Sequence, residues 1–303
     1  MKSSQSRQFN EFVINWHLTE VCNYSCHYCY AKWEKQGTEL IHDSGKIQQF
    51  LEQLQDFSEK YNNSENSPFD AVRLNIAGGE PLLYLEKTTQ VISLAHQMGM
   101  RISLITNASR LDRTVIEAIA PKLSVLGISL DSFRDESNFQ IGRKDRHKRV
   151  MKIRRLINLL EFARAINSEL QIKINTVVNS ANWREDMNPI IFHFAPDKWK
   201  ILRMLPTVTD CLSVTDEQFN SFVKRHRALR KIISAENNAD MTKSYVMVDP
   251  YGRFFQNSDT GKGYQYSQQI LEVGAEEAFS QIPWSQETYL SRYSDQHGAL
   301  CEV

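Results

Sequence analysis

The sequence lacks any long apolar run, and no stretch approaches the roughly 20 apolar residues that a membrane-spanning helix needs. The N-terminal segment MKSSQSRQFNEF has no apolar core of the kind found in signal peptides, so we expect no secretion signal. An excess of charge of one sign is also missing, because 36 Lys and Arg balance 36 Asp and Glu. A surface that binds polyanions over the whole protein is therefore not expected, and any anion site must be local.

Cysteine is scarce as well, with five in 303 residues, and Cys22, Cys26 and Cys29 all fall within the stretch EVCNYSCHYCYAKW. Cysteines that are so few and so unevenly placed do not predict the disulfide framework of a small secreted protein. Hydrophobic residues make up 41% and charged residues 24% of the chain, as in ordinary globular proteins. We therefore expect a protein of the reducing cytoplasm.

Six strand–helix units follow one another along the chain. The strands are predicted at 12–18, 71–77, 101–106, 124–130, 170–178 and 199–205. The helices are predicted at 43–61, 85–99, 113–122, 150–167, 183–194 and 215–233. Repeated strand–helix units predict a parallel sheet with right-handed crossovers, whose ligands bind at the C-terminal ends of the strands.

A polar loop with three cysteines follows the first predicted strand, in the pattern C-x₃-C-x₂-C. Packing of buried thiols is a poor explanation, because the segment CNYSCHYC is polar. Structural zinc usually takes four protein ligands, and the remaining Cys211 and Cys301 lie far away in the sequence. Three thiolates suit a [4Fe–4S] cluster with one iron left open, so the pattern favours a cluster and leaves zinc as the alternative.

This cysteine pattern, at the start of a six-unit chain, resembles the radical S-adenosylmethionine superfamily, in which the open iron binds the amino and carboxylate groups of S-adenosylmethionine. The stretch AGGEPLL after the second strand resembles the GGEP motif of that superfamily. The resemblance implies an α/β fold, a partial (β/α)6 barrel with a short C-terminal extension. We expect a lead at 1–11, the barrel at 12–235 and an extension at 236–303 that closes over the nucleotide site.

The same resemblance implies which residues hold the cofactors. Cys22, Cys26 and Cys29 are the expected cluster ligands, and the ring of Tyr28 is expected near the adenine. Glycines in the GGEP stretch let the backbone approach a ligand that a Cβ atom would block. The further expected cofactor contacts are Gly78, Gly79, Glu80, Asn107, Ser129 and Arg143.

Several longer stretches resemble one family within the superfamily, the viperins and their prokaryotic relatives. The resemblance runs from about Asn15 to about Ala278 and includes NWHLTEVCNYSCHYCYAK, VRLNIAGGEPLL, SLDSFRDESNFQIGR, KINTVVN and KSYVMVDPYGRF. Viperins convert a ribonucleoside triphosphate into its 3′-deoxy-3′,4′-didehydro analogue, which is a chain terminator for polymerases. The resemblance therefore implies a radical dehydratase that serves in antiviral, here antiphage, defence.

Cationic side chains inside predicted parallel strands are costly unless they are paired or bind a ligand. Arg73, Lys173 and Lys200 lie in three different predicted strands, which favours an anion bound inside the barrel over three separate ion pairs. These residues match the positions that hold the triphosphate in viperins, and Arg143 is expected to contact the substrate too. The remaining expected substrate contacts, some near the sugar or the base, are Asn15, Asn75 and Asn175.

The resemblance also implies a reaction. One electron from the reduced cluster cleaves S-adenosylmethionine to methionine and a 5′-deoxyadenosyl radical, which takes the C4′ hydrogen of the ribose. The 3′-hydroxyl then leaves as water, and one more electron and a proton complete the product. The electrons require a one-electron donor of the flavodoxin or ferredoxin type. Tyr245 matches a family tyrosine near the ribose and is the candidate hydrogen or proton donor, with a structural tyrosine in an edge strand as the alternative.

Further expectations concern partners and base. We expect a monomer that binds neither nucleic acid nor a membrane, since the basic run at 143–155 leads into a helix and, Arg143 apart, suits a solvated helix face. No amphipathic helix precedes the first strand, and the tail SDQHGALCEV lacks the tryptophan that ends animal viperins. The side-chain amides of Asn15 and Asn75 can flip and so suit either cytosine or uracil. We therefore expect CTP as the preferred substrate and UTP as the second.

Two alternatives stay open on the sequence alone. One is a radical enzyme that acts on another nucleotide or small substrate. The other is a non-catalytic protein that binds a metal and serves in an interaction.

Overall fold

The computed structural model describes residues 11–62, 68–258 and 261–294, without the side chains of 293–294. The predicted lead, apart from Glu11, lies outside the described residues. Cys301 and the tail that is expected to close over the site lie outside them as well.

Ten strands of the described chain form one sheet. They are β1 Glu11–His17, β2 Ala71–Ala77, β3 Arg101–Thr106, β4 Val125–Ser129, β5 Gln171–Val178, β6 Lys198–Arg203, β7 Ile233–Glu236, β8 Val246–Val248, β9 Arg253–Asn257 and β10 Tyr264–Gln269. Their order across the sheet is β10-β9-β8-β1-β2-β3-β4-β5-β6-β7. Every neighbouring pair from β8 to β7 is parallel, whereas β9 is antiparallel to both β8 and β10.

The prediction of an α/β fold with six parallel strands in sequential order is confirmed. Within the described residues the sheet is not a closed barrel, because β7 and β10 stand at its two ends. The predicted boundary between 235 and 236 falls inside β7, and the division of the chain into a barrel and an extension stays a prediction.

Ten α-helices occur in the described chain. They are α1 Ser44–Asn62, α2 Leu85–Gln97, α3 Arg113–Ile119, α4 Asp135–Ile141, α5 Ile153–Ile166, α6 Asn188–Phe194, α7 Asp216–Arg225, α8 Ile270–Val273, α9 Ala275–Ser280 and α10 Gln286–Ser294. None of the helices that the structure describes is long and apolar enough to cross a membrane.

The helix predicted at 215–233 is wrong in its second half. Helix α7 ends at Arg225, and a short 3-10 turn follows before the chain enters β7. At this end His226 is buried, and its Nε2 accepts a hydrogen bond from Met187 N at 2.9 Å. The helix predicted at 183–194 is likewise shorter and begins at Asn188, after a turn.

The two faces of β1 differ in polarity, and this difference positions the site. Ile14 and Trp16 are fully buried under the helices, and the ring of Trp16 lies 4.7 Å from that of Phe50 on α1. Asn15 and His17 alternate with them and point to the other face, where they line a cavity. The apolar face therefore anchors the strand, and the polar face is available for a ligand.

Helix α10 is attached to the start of β1 by the hydroxyl of Tyr289. This hydroxyl accepts a hydrogen bond from Val13 N at 2.7 Å and donates one to Glu11 O at 2.7 Å. Strand β8 pairs with β1 only at residues 14–16, so the tyrosine takes the place of a strand partner for the first half of β1.

Replacing Tyr289 with Phe should lower the free energy of unfolding by about 1–3 kcal/mol, because the buried Val13 N–H loses its partner. We expect the Tm to fall by a few degrees in calorimetry. Tyr84→Phe is the control, since that hydroxyl makes no hydrogen bond within the described residues. Equal Tm values for both variants would contradict the role of Tyr289.

Candidate functional site

A cavity of about 520 Å³ lies at the C-terminal ends of the parallel strands. The cysteine loop, the ends of β1 to β6 and the segments around β8 to β10 form its wall. Among the described residues, every predicted site residue except Glu80 and Arg73 belongs to this wall. Its predicted members are Asn15, Cys22, Cys26, Tyr28, Cys29, Asn75, Gly78, Gly79, Asn107, Ser129, Arg143, Lys173, Asn175, Lys200 and Tyr245.

The cysteine loop is held by backbone hydrogen bonds to the end of α4. Ser25 N donates to Gly142 O at 3.3 Å, and His27 N donates to Ile141 O at 2.9 Å. Gly142 has φ +85°, and a Cβ atom there would overlap the carbonyl of Ser25. Only glycine allows the close approach that positions the loop between the first and second cysteines.

The three thiols of this loop all line the same cavity. Burial raises the pKa of the Cys26 thiol to about 12, and the charges of the Cys29 and Cys22 thiols act in the same direction. Cys22 Sγ also lies 3.4 Å from Tyr24 N and 3.8 Å from Asn107 Nδ2. These donors suit a sulfur that carries negative charge, as a metal-bound thiolate does.

The GGEP stretch packs directly on the backbone that leads into the cysteine loop. Gly79 N donates to Thr19 O at 2.6 Å, and Glu80 N donates to Val21 O at 2.9 Å. A Cβ atom on Gly78 would lie 2.7 Å from Thr19 O, and one on Gly79 would overlap Val21 O. The glycines are therefore needed for contact between two segments of the chain, and their contact with a cofactor stays a prediction.

Glu80 is fully buried and braces the end of β3. Its carboxylate accepts hydrogen bonds from Thr106 Oγ1 and Asn107 N, both at 2.7 Å, and from Leu82 N at 3.1 Å. Burial raises the pKa of this carboxyl despite these donors. The observed bonds support the loop that carries Asn107, and a direct bond from Glu80 to a cofactor stays a prediction.

Arg143, Asp131 and Tyr28 form a buried group between the cysteine loop and the end of β4. Arg143 donates to Asp131 Oδ2 at 3.3 Å, to the Tyr28 hydroxyl at 3.2 Å and to Ser129 O at 2.7 Å. The Tyr28 hydroxyl donates to Asp131, and burial raises the pKa of Tyr28 well above its usual value. The Tyr28 side chain is thus fixed at its hydroxyl end, while the ring remains part of the cavity wall.

The amides of Asn15 and Asn75 are hydrogen-bonded to each other. Asn75 Nδ2 donates to Asn15 Oδ1 at 2.8 Å, and Asn15 Nδ2 donates to Val246 O at 3.0 Å. Ser103 Oγ donates to Asn75 Oδ1 at 2.6 Å. The expectation that these amides turn over freely is wrong, because a flip of either one breaks these bonds.

Lys173 and Asn175 line the cavity from β5. Burial lowers the pKa of Lys173 well below its usual value, and the like charges of Lys200, Lys198 and Arg73 lower it further. Within the described residues Lys173 makes no ion pair. An anion in the cavity would relieve this repulsion and favour the charged lysine.

Lys200, Glu236 and Tyr245 form a second charged group, of which Lys200 and Tyr245 belong to the cavity wall. Lys200 Nζ lies 2.6 Å from Glu236 Oε1, and the Tyr245 hydroxyl accepts from Lys200 and donates to Glu236. Arg292 of α10 lies 3.4 Å from Glu236 and 3.5 Å from the centre of the Tyr245 ring. Burial lowers the pKa of Lys200 to about 7, whereas the cations outweigh burial at Glu236 and lower its pKa to about 2.

Arg73 and Tyr245 lie in surroundings that differ from the predicted ones. Arg73 is paired with Glu11 at 2.6 Å and donates to Ser103 Oγ at 3.1 Å, so its contact with phosphate stays a prediction. Tyr245 directly precedes β8, which is not an edge strand because it lies between β1 and β9.

Sequence reasoning missed three residues of the site. Glu236 and Arg292 lie in segments without a recognisable motif, and only the folded chain brings them to Lys200 and Tyr245. His17 had a signal, since it follows Asn15 by two positions on the same face of β1. Its buried Nδ1 lacks a hydrogen-bond partner within the described chain, and burial lowers its pKa to about 3, so the ring is neutral.

Comparison with known proteins identifies the family. Residues 16–179 match the Radical SAM superfamily, which is more than half of the chain. The chain belongs to the radical SAM superfamily. A protein of Psychrobacter lutiphocae is 42% identical over 93% of this chain and 95% of its own, and one of Pseudoalteromonas ulvae is 40% identical over 95% and 94%. Both relatives are named S-adenosylmethionine-dependent nucleotide dehydratase.

Solved radical SAM enzymes share the fold. The structure of native anSMEcpe with bound AdoMet has a TM-score of 0.64 at 14% identity, covering 93% of this chain and 82% of that one. Streptococcus suis SuiB bound to the precursor peptide SuiA has a TM-score of 0.60 at 15% identity, covering 91% and 65%. These identities are low, so the likeness concerns the fold alone.

Radical SAM proteins use a [4Fe–4S] cluster and S-adenosylmethionine, and the residues of this cavity fit both groups. Three thiols on one loop match in number the protein ligands of a cluster with one open iron, and this assignment of ligands stays a prediction. Cys22 Sγ has two amide donors beside it, which suit a thiolate. The roles of the individual residues around S-adenosylmethionine stay predictions.

Replacing Cys22, Cys26 or Cys29 with Ala should each abolish the cluster, because a cube cannot be held by two protein thiolates at this site. After anaerobic reconstitution, we expect the iron content and the visible absorption typical of such clusters to be lost. Cys211→Ala is the matched control, since this exposed thiol lies outside the cavity wall. Loss of iron from Cys211→Ala would contradict the ligand assignment.

Proposed function

We propose that this protein converts a ribonucleoside triphosphate into its 3′-deoxy-3′,4′-didehydro analogue by radical chemistry, with loss of water. The observation that carries the proposal is the 42% identity to a nucleotide dehydratase over nearly the full length of both chains. Such similarity covers the cysteine loop, the GGEP stretch and the lysines of β5 and β6 together. The product would terminate nucleic-acid chains and act in defence against phage.

When bound, the cofactors would supply the one-electron cleavage of S-adenosylmethionine, and this cleavage would allow the hydrogen on C4′ of the ribose to be removed. The cavity must hold C4′ close to that reaction and keep water out. The cysteine loop lies at one part of the wall, and Lys173 and Lys200 lie on β5 and β6. The same cavity wall therefore carries separate groups that suit the cofactors and an anionic substrate, which supports the proposal.

The triphosphate is proposed to bind Lys173 and Lys200, with Arg143 and Asn175 as further contacts. Lys173 supports this role because it lines the cavity and lacks an ion pair in the described part of the chain. Burial and neighbouring cations lower its pKa, and a bound polyphosphate would favour its charged form. Lys200 would share its ammonium between the phosphates and Glu236.

Tyr245 is proposed to supply the hydrogen or proton that completes the product. Its hydroxyl lies between Lys200, which donates to it, and Glu236, which accepts from it. The phenol is therefore held in one position, and Lys200 can return a proton to it. A structural role for the same tyrosine would leave product formation unchanged in Tyr245→Phe.

The proposal extends to the partners. A one-electron donor of the flavodoxin or ferredoxin type would supply the electrons. The reaction is proposed to take place in the cytoplasm. Among substrates, CTP is proposed first and UTP second, because the phosphates carry no base information and a pyrimidine needs less room.

The test of the function is incubation of the reconstituted, reduced protein with equimolar CTP, UTP, GTP and ATP. We expect one triphosphate to yield a product lighter by one water, together with 5′-deoxyadenosine, and CTP to be consumed fastest. Conversion of GTP or ATP in preference would contradict the base assignment only. Absence of any dehydrated nucleotide, with 5′-deoxyadenosine still formed, would point to another substrate.

Lys173→Ala and Lys200→Ala should each weaken triphosphate binding by roughly ten- to a hundredfold, since a charge-assisted contact is lost. Binding of S-adenosylmethionine should be unchanged in both variants. Lys60→Ala is the control, because Lys60 pairs with Glu276 on the surface. Triphosphate affinity equal to that of the wild type in both cavity variants would contradict the proposed phosphate site.

A further inference from the structure

A continuous series of hydrogen bonds crosses four strands beside the cavity. Arg73 Nη1 donates to Ser103 Oγ at 3.1 Å, and Ser103 Oγ donates to Asn75 Oδ1 at 2.6 Å. Asn75 Nδ2 donates to Asn15 Oδ1 at 2.8 Å, and Asn15 Nδ2 donates to Val246 O at 3.0 Å. We call these five residues the polar chain. Its members meet because Asn15, Asn75 and Ser103 are direct partners in the register of β1, β2 and β3.

The chemistry of its two ends fixes the direction of the polar chain. An arginine guanidinium only donates, so Ser103 must accept from Arg73 and has its single proton left for Asn75. The carbonyl of Val246 only accepts, so the amide nitrogen of Asn15 must face it. The Val246 carbonyl therefore fixes the orientation of the Asn15 amide and, through it, that of the Asn75 amide, and the proton of Ser103 matches this orientation.

Arg73 is held in place from outside the cavity. Its Nε lies 2.6 Å from Glu11 Oε2, and the same carboxylate lies 2.7 Å from Arg101. Among the described residues, Asn15 and Asn75 belong to the cavity wall, but Arg73 and Ser103 do not. Arg73 thus has a carboxylate partner in the protein, which it shares with Arg101, and its other observed side-chain contact is with the polar chain.

The asparagine amides each keep hydrogen-bonding capacity toward the cavity. An amide has two N–H groups and two carbonyl lone pairs, and the polar chain uses one of each. A flip of the Asn75 amide would bring acceptor to acceptor at Asn15, and the Ser103 hydroxyl would lose the acceptor of its proton. Asn75 is only 7% exposed, so water does not compensate such a mismatch.

We propose that Ser103 and Arg73 are positioning residues for recognition of the nucleoside. They hold the amides of Asn75 and Asn15 in one orientation, so that the base or ribose edge meets a single pattern of donors and acceptors. The inference rests on the proposed function, because it takes a nucleotide as the molecule in the cavity. It also assigns Arg73 to the nucleoside end of the site instead of the triphosphate.

The first test is Ser103→Ala, which removes the link between Arg73 and Asn75. Affinities for CTP, UTP, GTP, ATP and their 2′-deoxy counterparts are measured by equilibrium dialysis on unreduced protein with S-adenosylmethionine. We expect the ratio between the best and the next nucleotide to fall by about five- to a hundredfold. Ser103→Thr, which keeps the hydroxyl, should restore the ratio. Ser58→Ala is the control, since it removes a buried serine hydroxyl that bonds Leu54 O within α1.

The second test separates the two roles of Arg73 and uses inorganic triphosphate as the probe. Arg73→Gln should change the nucleotide ratio and leave the affinity for inorganic triphosphate as in the wild type. Lys200→Ala should weaken the binding of inorganic triphosphate in the same assay. Equal weakening by Arg73→Gln and Lys200→Ala would overturn the inference, and so would an unchanged nucleotide ratio in a folded Ser103→Ala.

Failure of the inference is distinguishable from failure of the proposed function. Product formation by the wild type reports on the function, and it does not depend on the orientation of the amides. If Ser103→Ala does not fold, the comparison of Arg73→Gln with Lys200→Ala decides the inference alone. Dehydrated nucleotide from the wild type, with nucleotide ratios that no polar-chain variant changes, would leave the function standing and refute the positioning role.

Discussion

The site depends on one contact, in which the backbone of the GGEP stretch lies directly on the backbone before the cysteine loop. The hydrogen bonds from Gly79 N to Thr19 O and from Glu80 N to Val21 O form only because neither glycine has a Cβ atom. Glu80 extends the contact to Asn107, whose amide lies beside Cys22. Hydrogen bonds thus connect the ends of β1, β2 and β3 beside Cys22, and these bonds position its thiol.

A second constraint is the register of the parallel sheet. Side chains of neighbouring strands meet in layers, so an asparagine on β1 faces an asparagine on β2 and a serine on β3. The layer above carries His17, and the neighbouring strands β5 and β6 bring Asn175 beside Lys200. Polar groups that are costly singly become tolerable in the layer of Asn15, Asn75 and Ser103, because its members are hydrogen-bonded to one another.

The sequence predicted much of the fold and the cofactor end of the site, because both depend on local patterns. The cysteine spacing and the GGEP stretch are each contiguous in the sequence, and strand and helix patterns alternate regularly along the chain. The charged end was harder to predict, because Glu236 and Arg292 reach Lys200 through tertiary contacts that no local pattern reveals. Arg73 shows the same difficulty, because the sequence of a buried strand does not distinguish a cation that binds a ligand from one that pairs with a carboxylate. In the structure Arg73 pairs with Glu11.

The late position of β8 in the sequence has a consequence for folding. Strand β1 is synthesised first, but its second neighbour follows only after the whole run of strand–helix units, and the Asn15–Val246 bond spans 231 positions. Contacts of such sequence separation form late, because a long loop must close before they stabilise the chain. Until then one side of β1 stays unpaired and the cavity stays open at the wall that Tyr245 and Phe255 complete. A chain that has folded only as far as β7 therefore lacks the part of the cavity wall that β8, β9 and β10 supply.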